Sequence, residues 1–363
     1  MALETTHVRI AGILHNLLSK KKSEGESRPE LQDEDEGWPI FKREELKQVL
    51  SLGSFFPDIF SYLAGTAKIA DKLHNDKVEV PSNEYIFKCL DGCIEATKKG
   101  EMESAQKSLM MLLGILSHIA TDVTIHPMVY SLSGDHGGAN EEEHEKIIYL
   151  HWLIEVLMEK LLIASDGEAE ENIVDTDWQN DLFENIDILM NAIETTAEDF
   201  KEAFDHLLKY FQSFNDEMAY ASHINLVRNG ELSLAYLTPF EDHIKYLMEG
   251  VFPSDPIIFL DPITGEETET TLKKLVEDSV TLSIKMIEAA LEYYQKGVEG
   301  EITDEDREKL KEVIPNNNLS TGRSDGSGTK NMKSRISDNG STMGDHVKKL
   351  QEAKGDLDVS DLF

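Results

Sequence analysis

Apolar residues recur at i, i+3 and i+4 along most of this chain, the spacing of helices that bury one face. That spacing predicts helices over 5–20, 42–51, 58–75, 84–99, 101–126, 141–164, 180–213, 217–228, 238–249, 268–297 and 303–312. Start signals agree at three of them: Ser82 before NEYIF, Asp177 before WQNDLF and Thr303 before DEDR. Residues 21–37 are polar and read as a solvated loop, while 251–267 carry three prolines and a Thr-Gly turn. That segment is the one strand-like stretch, and it reads as a short hairpin.

After Pro315 the composition shifts to Asn, Ser, Gly and Lys with few apolar residues, so 316–363 is expected to be a disordered tail. Within it, 344–354 has the pattern of a short helix, and the terminal DVSDLF could act as a peptide handle. No internal repeat is visible. The expected architecture is all-α: a single multi-helix domain over 1–315, followed by the tail.

Composition narrows the partners. The 363 residues carry 35 Lys+Arg against 70 Asp+Glu, a net charge of −35. That balance argues against nucleic acid or anionic headgroups as a broad electrostatic partner, although a small site can have a local charge set by metal ions. The opening MALETTHVRI has Glu4 early and lacks the apolar core of a secretory signal. No uninterrupted apolar run approaches the ~18 residues of a membrane span. Cys89 and Cys93 lie one helical turn apart with nothing to suggest a disulfide framework. The expectation is a cytoplasmic protein, with export by an unmarked route left open.

The chemistry is concentrated in Leu113–His126, LGILSHIATDVTIH, where His118, Asp122 and His126 stand at strict four-residue spacing. On a helix they form one vertical stripe, set among Leu113, Ile115, Ile119 and Val123. Buried His and Asp need partners, and a cation is the economical one. Pro127 is expected to end the helix. Upstream, Asp58 follows Pro57 in GSFFPDIF, where it could equally cap a helix; His74 comes sixteen residues later in KLHND. Downstream, His151 and Glu155 are again four apart in HWLIEVL, and His7 lies in THVRIAGIL.

Taken together, THVRI, GSFFPDIF, LHN, LGILSHIATDVTIHP and HWLIE resemble the zinc-dependent phospholipase C superfamily. Within it, the look is that of the catalytic domain of glycosylphosphatidylinositol phospholipase D. The resemblance spans roughly residues 3–160; the remainder is expected to cap the cleft. It implies an all-α fold holding up to three zinc ions. One would take Asp58, His74, His118 and Asp122, and a second His126, His151 and Glu155. A third would share Asp122 and take His7. Asp58 would double as general base. Secreted members also use their own mature N-terminus as a ligand; here Met1 removal would expose the Ala2 amine, a few residues before His7.

The remaining histidines have plainer readings. His136 and His144 flank the Gly-rich SGDHGGANEEEH and could line the mouth, though a solvated loop is the simpler account. His15, His206, His223 and His243 have no partner pattern, and Trp152 reads as packing. There is no GxGxxG, GxxxxGK or GxSxG motif. The expected function is therefore a zinc-dependent phosphodiesterase cleaving a phospholipid or small phosphodiester by metal-activated water, with transient membrane-surface contact. Two alternatives stay open. One is a single-strand nuclease or nucleotidase with a similar cluster, whose block has HQPxH where this chain has TIHP. The other is a non-catalytic helical protein with structural zinc.

Overall fold

The computed structural model describes residues 2–19, 38–61, 65–75, 83–134, 182–213 and 256–328, with Ile147, His151, Ile154, Glu155, Met158 and Met332. The expected helices at 217–228, 238–249 and 344–354, the loop at 21–37, and Ser82, His136, His144, Trp152, Asp177, His223 and His243 lie outside these residues.

Ten helices and one hairpin are defined among the described residues. They are α1 (Ala2–Ser19), α2 (Lys47–Gly53), α3 (Phe56–Ile59), α4 (Ala67–His74), α5 (Glu84–Lys99), α6 (Met102–Ser133), α7 (Asp187–Ile193), α8 (Ala197–Ser213), β1 (Ile257–Leu260), β2 (Glu267–Thr270), α9 (Leu272–Glu299) and α10 (Asp304–Val313). Two short 3₁₀ turns, Pro39–Lys42 and Glu44–Leu46, lead into α2. The described part is all-α apart from that hairpin, which pairs Ile257 with Thr270 and Leu260 with Glu267.

α6 is the axis. It is buried almost all round, because α1, α2, α5, α7 and α9 pack against it from several sides. It is the one described helix long and apolar enough to cross a membrane, and 89% of its most apolar window is inside the protein. A helix apolar on every face needs such company. Its closest neighbour is α2: a Cβ on Gly53 would overlap the Met111 carbonyl, and one on Gly114 the Leu50 carbonyl. The two backbones touch there, and only glycine permits it.

Several expectations change in detail. The helix expected over 58–75 is two, α3 and α4, separated by a turn in which Thr66 Oγ1 donates to the Phe60 carbonyl at 2.6 Å and Gly65 takes φ +102°. The stretch 180–213 also divides. Glu194 is left-handed (φ 63°), and Thr196 Oγ1 accepts from Asp199 N at 3.0 Å to start α8 afresh. Pro127 does not end α6, which runs on to Ser133. Proline removes one N–H but its φ is helical, so a long, well-packed helix can absorb it. The hairpin sits a few residues later than expected, so α9 begins at Leu272, with Thr271 Oγ1 accepting from Lys274 N at 3.0 Å. Thr303 does open α10, through a reciprocal bond pair with Asp306.

The largest revision concerns the tail. Residues 317–321 are packed, not free: Leu319 and Thr321 are each 1% exposed. Few apolar side chains mark it in the sequence, because Leu319 alone enters the core and the rest is held by hydrogen bonds. Beyond residue 328 the rest of the expected tail, apart from Met332, lies outside the described residues.

Candidate metal centre

Each element brings one or more donors to a common point. α3 is pinned by an aromatic cluster: Phe56 and Phe60 flank Asp58 in sequence and pack on Phe200 of α8, with ring centroids 4.9 and 6.1 Å away. Asp58 is not the helix cap; that position is Phe55, with no side-chain cap bond. α4 ends at His74, where Asn75 turns left-handed at φ 57°. α6 contributes His118, Asp122 and His126, α1 contributes His7, and His151 and Glu155 stand one turn apart in helical conformation.

All eight expected residues converge. His118 Nε2 lies 3.0 Å from Asp122 Oδ2, and His74 Nε2 lies 3.0 Å from Asp58 Oδ1 and 3.9 Å from Asp122 Oδ2. His7 Nε2 is 3.3 Å and His126 Nε2 3.8 Å from the other Asp122 oxygen. Further along, Glu155 Oε1 is 3.7 Å from His126 Nε2 and 2.6 Å from His151 Nε2. The rings of His7 and His118 stack at 4.2 Å between centroids. Three groupings have donor atoms all within 4.8 Å of one another: His7, Asp58 and His118; His74, His118 and Asp122; His126, His151 and Glu155. Among the other histidines, His15 packs near Phe41 and His206 is exposed.

The second nitrogens explain the orientation. His118 Nδ1 lies 2.9 Å from the Ser54 carbonyl, His74 Nδ1 2.8 Å from the Ala70 carbonyl, and His126 Nδ1 3.0 Å from the Leu319 carbonyl. A carbonyl can only accept, so each Nδ1 carries a hydrogen, and a ring with Nε2 unprotonated turns that lone pair inward. His118 Nε2 and His74 Nε2 then face each other at 3.4 Å, beside carboxylates that repel the same lone pairs. Asp122 Oδ1 and Oδ2, His126 Nε2 and Glu155 Oε1 are buried without a hydrogen bond of good geometry. Such an arrangement is unfavourable unless cations sit among the donors.

Electrostatics say the same. Burial would raise the Asp58 carboxyl, but the neighbouring His118 and His74 outweigh it and hold it at about 2. Asp122, against the burial that would raise it, is held well below the carboxylate range by His118 and His126. Burial alone would lower His126, yet Asp122 and Glu155 push it up to about 9. His7 is lowered, by burial and then by His118. Without metal, protons must do part of the work of balancing this charge.

Five imidazoles and three carboxylates are the donor types of zinc, and the inward lone pairs fit it. A family model for zinc-dependent phospholipase C matches residues 6–206, more than half of the chain. The protein belongs to the zinc-dependent phospholipase C family. No match was found among curated proteins or among solved structures.

The carbonyls of Ser54, Ala70 and Leu319, which orient three imidazoles, were not among the sequence candidates. Every residue has a carbonyl, so no residue type marks them. Ser54 alone had a weak pointer, lying in the GSFFPDIF motif.

Proposed function

We propose that this chain hydrolyses a phosphodiester, a phospholipid or related small diester, at this centre, with His7, Asp58, His74, His118, Asp122, His126, His151 and Glu155 holding up to three zinc ions. The observation that carries the reading is the convergence of lone-pair imidazoles and buried carboxylates in a chain of this family. Bound zinc would supply Lewis acidity toward phosphoryl oxygens and a lowered pKa for water.

The side chains define the approach. His118 and Asp122 are fully buried, whereas Asp58 and His74 keep 23% and 14% of their side-chain surface. Substrate therefore enters on the Asp58–His74 side. Asp58 Oδ1 faces the donor Nε2 of His74 at 3.0 Å, so Oδ2 is the carboxylate oxygen left to take a proton from the attacking water. Three dications against three carboxylates make the pocket net positive within an acidic protein, so an anionic phosphodiester is drawn to it. The same arithmetic keeps a long polyanion away from the surrounding surface, which favours a small diester or lipid over nucleic acid.

Asp58→Asn tests the assignment. Hydrolysis of a chromogenic phosphocholine ester should fall by about 10²–10⁴-fold with the far-UV circular dichroism unchanged; an unchanged rate removes Asp58 from the mechanism. If zinc-loaded protein cleaves single-stranded DNA faster than the ester, the substrate class is wrong.

A further inference from the structure

The segment after α10 touches the centre through one residue. Leu319 N–H donates to the carbonyl of His74 at 3.1 Å, and the Leu319 carbonyl accepts from His126 Nδ1 at 3.0 Å. One backbone unit thus joins α4 to α6, and joins a residue of the His74, His118 and Asp122 grouping to a residue of the His126, His151 and Glu155 grouping.

The turn around it is built to hold that position. Asn318 Oδ1 accepts from Thr321 N at 3.0 Å, and Asn318 Nδ2 donates to the Asn75 carbonyl at 2.9 Å. Asn75 returns the contact, its Nδ2 donating to the Asn317 carbonyl at 3.3 Å. On the other side Gly322, at φ +68°, lies where a Cβ would be 2.6 Å from the Val123 carbonyl. Val123 is four residues before Pro127, so its carbonyl is the one that proline leaves without a helical donor. The proline and the glycine fit one another: the break in α6 is where the turn docks. Leu319 seats its side chain in the hydrophobic core, and the rest of the turn is polar residues and glycine placed by the bonds above.

We infer that residues 317–323, beyond the part of the chain matched to the family, form a positioning strap that aims His126 and fixes the end of α4 so that the metal sites of His74 and His126 keep their spacing. Asn318 is its organising residue. A hydrogen-bond partner of a ligand imidazole sets ring tautomer and direction, and its loss costs about 10–100-fold in metal affinity. The inference rests on the zinc reading above.

The test uses the full chain and zinc alone, read by chelator competition. Wild-type protein that takes up no zinc overturns the metal reading and the strap with it. If wild type binds zinc, Asn318→Ala should bind it about 10–100-fold more weakly, with Asn318→Asp, which keeps the acceptor for Thr321, recovering part of the loss. A strap that only stabilised the fold would lower the melting temperature of Asn318→Ala and leave the affinity of the folded protein unchanged; that result overturns the inference. Linkage is reciprocal, so in wild type zinc should slow amide exchange across 317–323 by at least about fivefold. Should Asn318→Ala fail to fold, this exchange decides: equal rates with and without zinc overturn the strap.

Discussion

Asp122 shows how much one side chain can be asked to do. It is fully buried, and its two oxygens face four imidazoles, with His118 and His74 on one and His7 and His126 on the other. A carboxylate in that setting is an ion-bridging group or it is a large desolvation cost. Asp122→Asn keeps the shape and removes the charge. It should lower zinc content by two ions together, measured by inductively coupled plasma mass spectrometry on folded protein; retention of the full complement would sink the bridging role. The i, i+4 stripe was legible in the sequence because helix geometry is local. That Asp122 is shared between ions came only from the family resemblance, since His7 and His74 reach it from other helices and no local spacing places them there.

At the level of helices, the contact between α2 and α6 holds the centre together. Gly53 and Gly114 let the two backbones touch, and the next residue, Ser54, supplies the carbonyl that orients His118. Gly114→Ala places a methyl group into the Leu50 carbonyl and must push α2 away. Over-packing of this kind costs about 1–3 kcal/mol, and thermal unfolding should register it as a lower melting temperature. Zinc affinity should fall as well, because Ser54 moves with α2; an unshifted melting curve would show that the crossing has slack. α5 matched its sequence expectation at both ends, having a clean amphipathic pattern and Gly100 to stop it in the left-handed region. The expected helix over 58–75 failed because Ser61–Thr66 keeps a tolerable pattern while Thr66 binds backbone and ends the run. Periodicity detects faces; it does not count the hydrogen bonds that close a helix.

The assembled centre makes removal of metal a test of the entire fold. Each occupied site at zinc concentrations about 100 times its Kd contributes ~2.7 kcal/mol, so chelation should lower the melting temperature by several degrees, roughly 2–4 °C per kcal/mol. The effect should grow with pH. In the metal-free protein His126 is pushed up to about 9, so its protonated form stabilises the empty fold below pH ~6.5, and that contribution is lost as pH rises through 9. Zinc must displace this proton, so the gap between zinc-loaded and chelated melting temperatures should widen from pH 6.5 to 9. A gap independent of pH would remove His126 from the ligand set.

Read as a string, this chain declares an all-α protein, a His-Asp-His stripe, and a family with zinc chemistry. Those signals survive because they are short-range: helical period, four-residue spacing, and residue types that only a metal site makes economical. What needed three dimensions was the meeting of donors from α1, α3, α4 and α6, separated by up to 119 positions between His7 and His126, and the return of residues 317–323 to the site. Their contribution is made by backbone carbonyls and amides, which are identical at every position and gain direction only when the fold sets them in place.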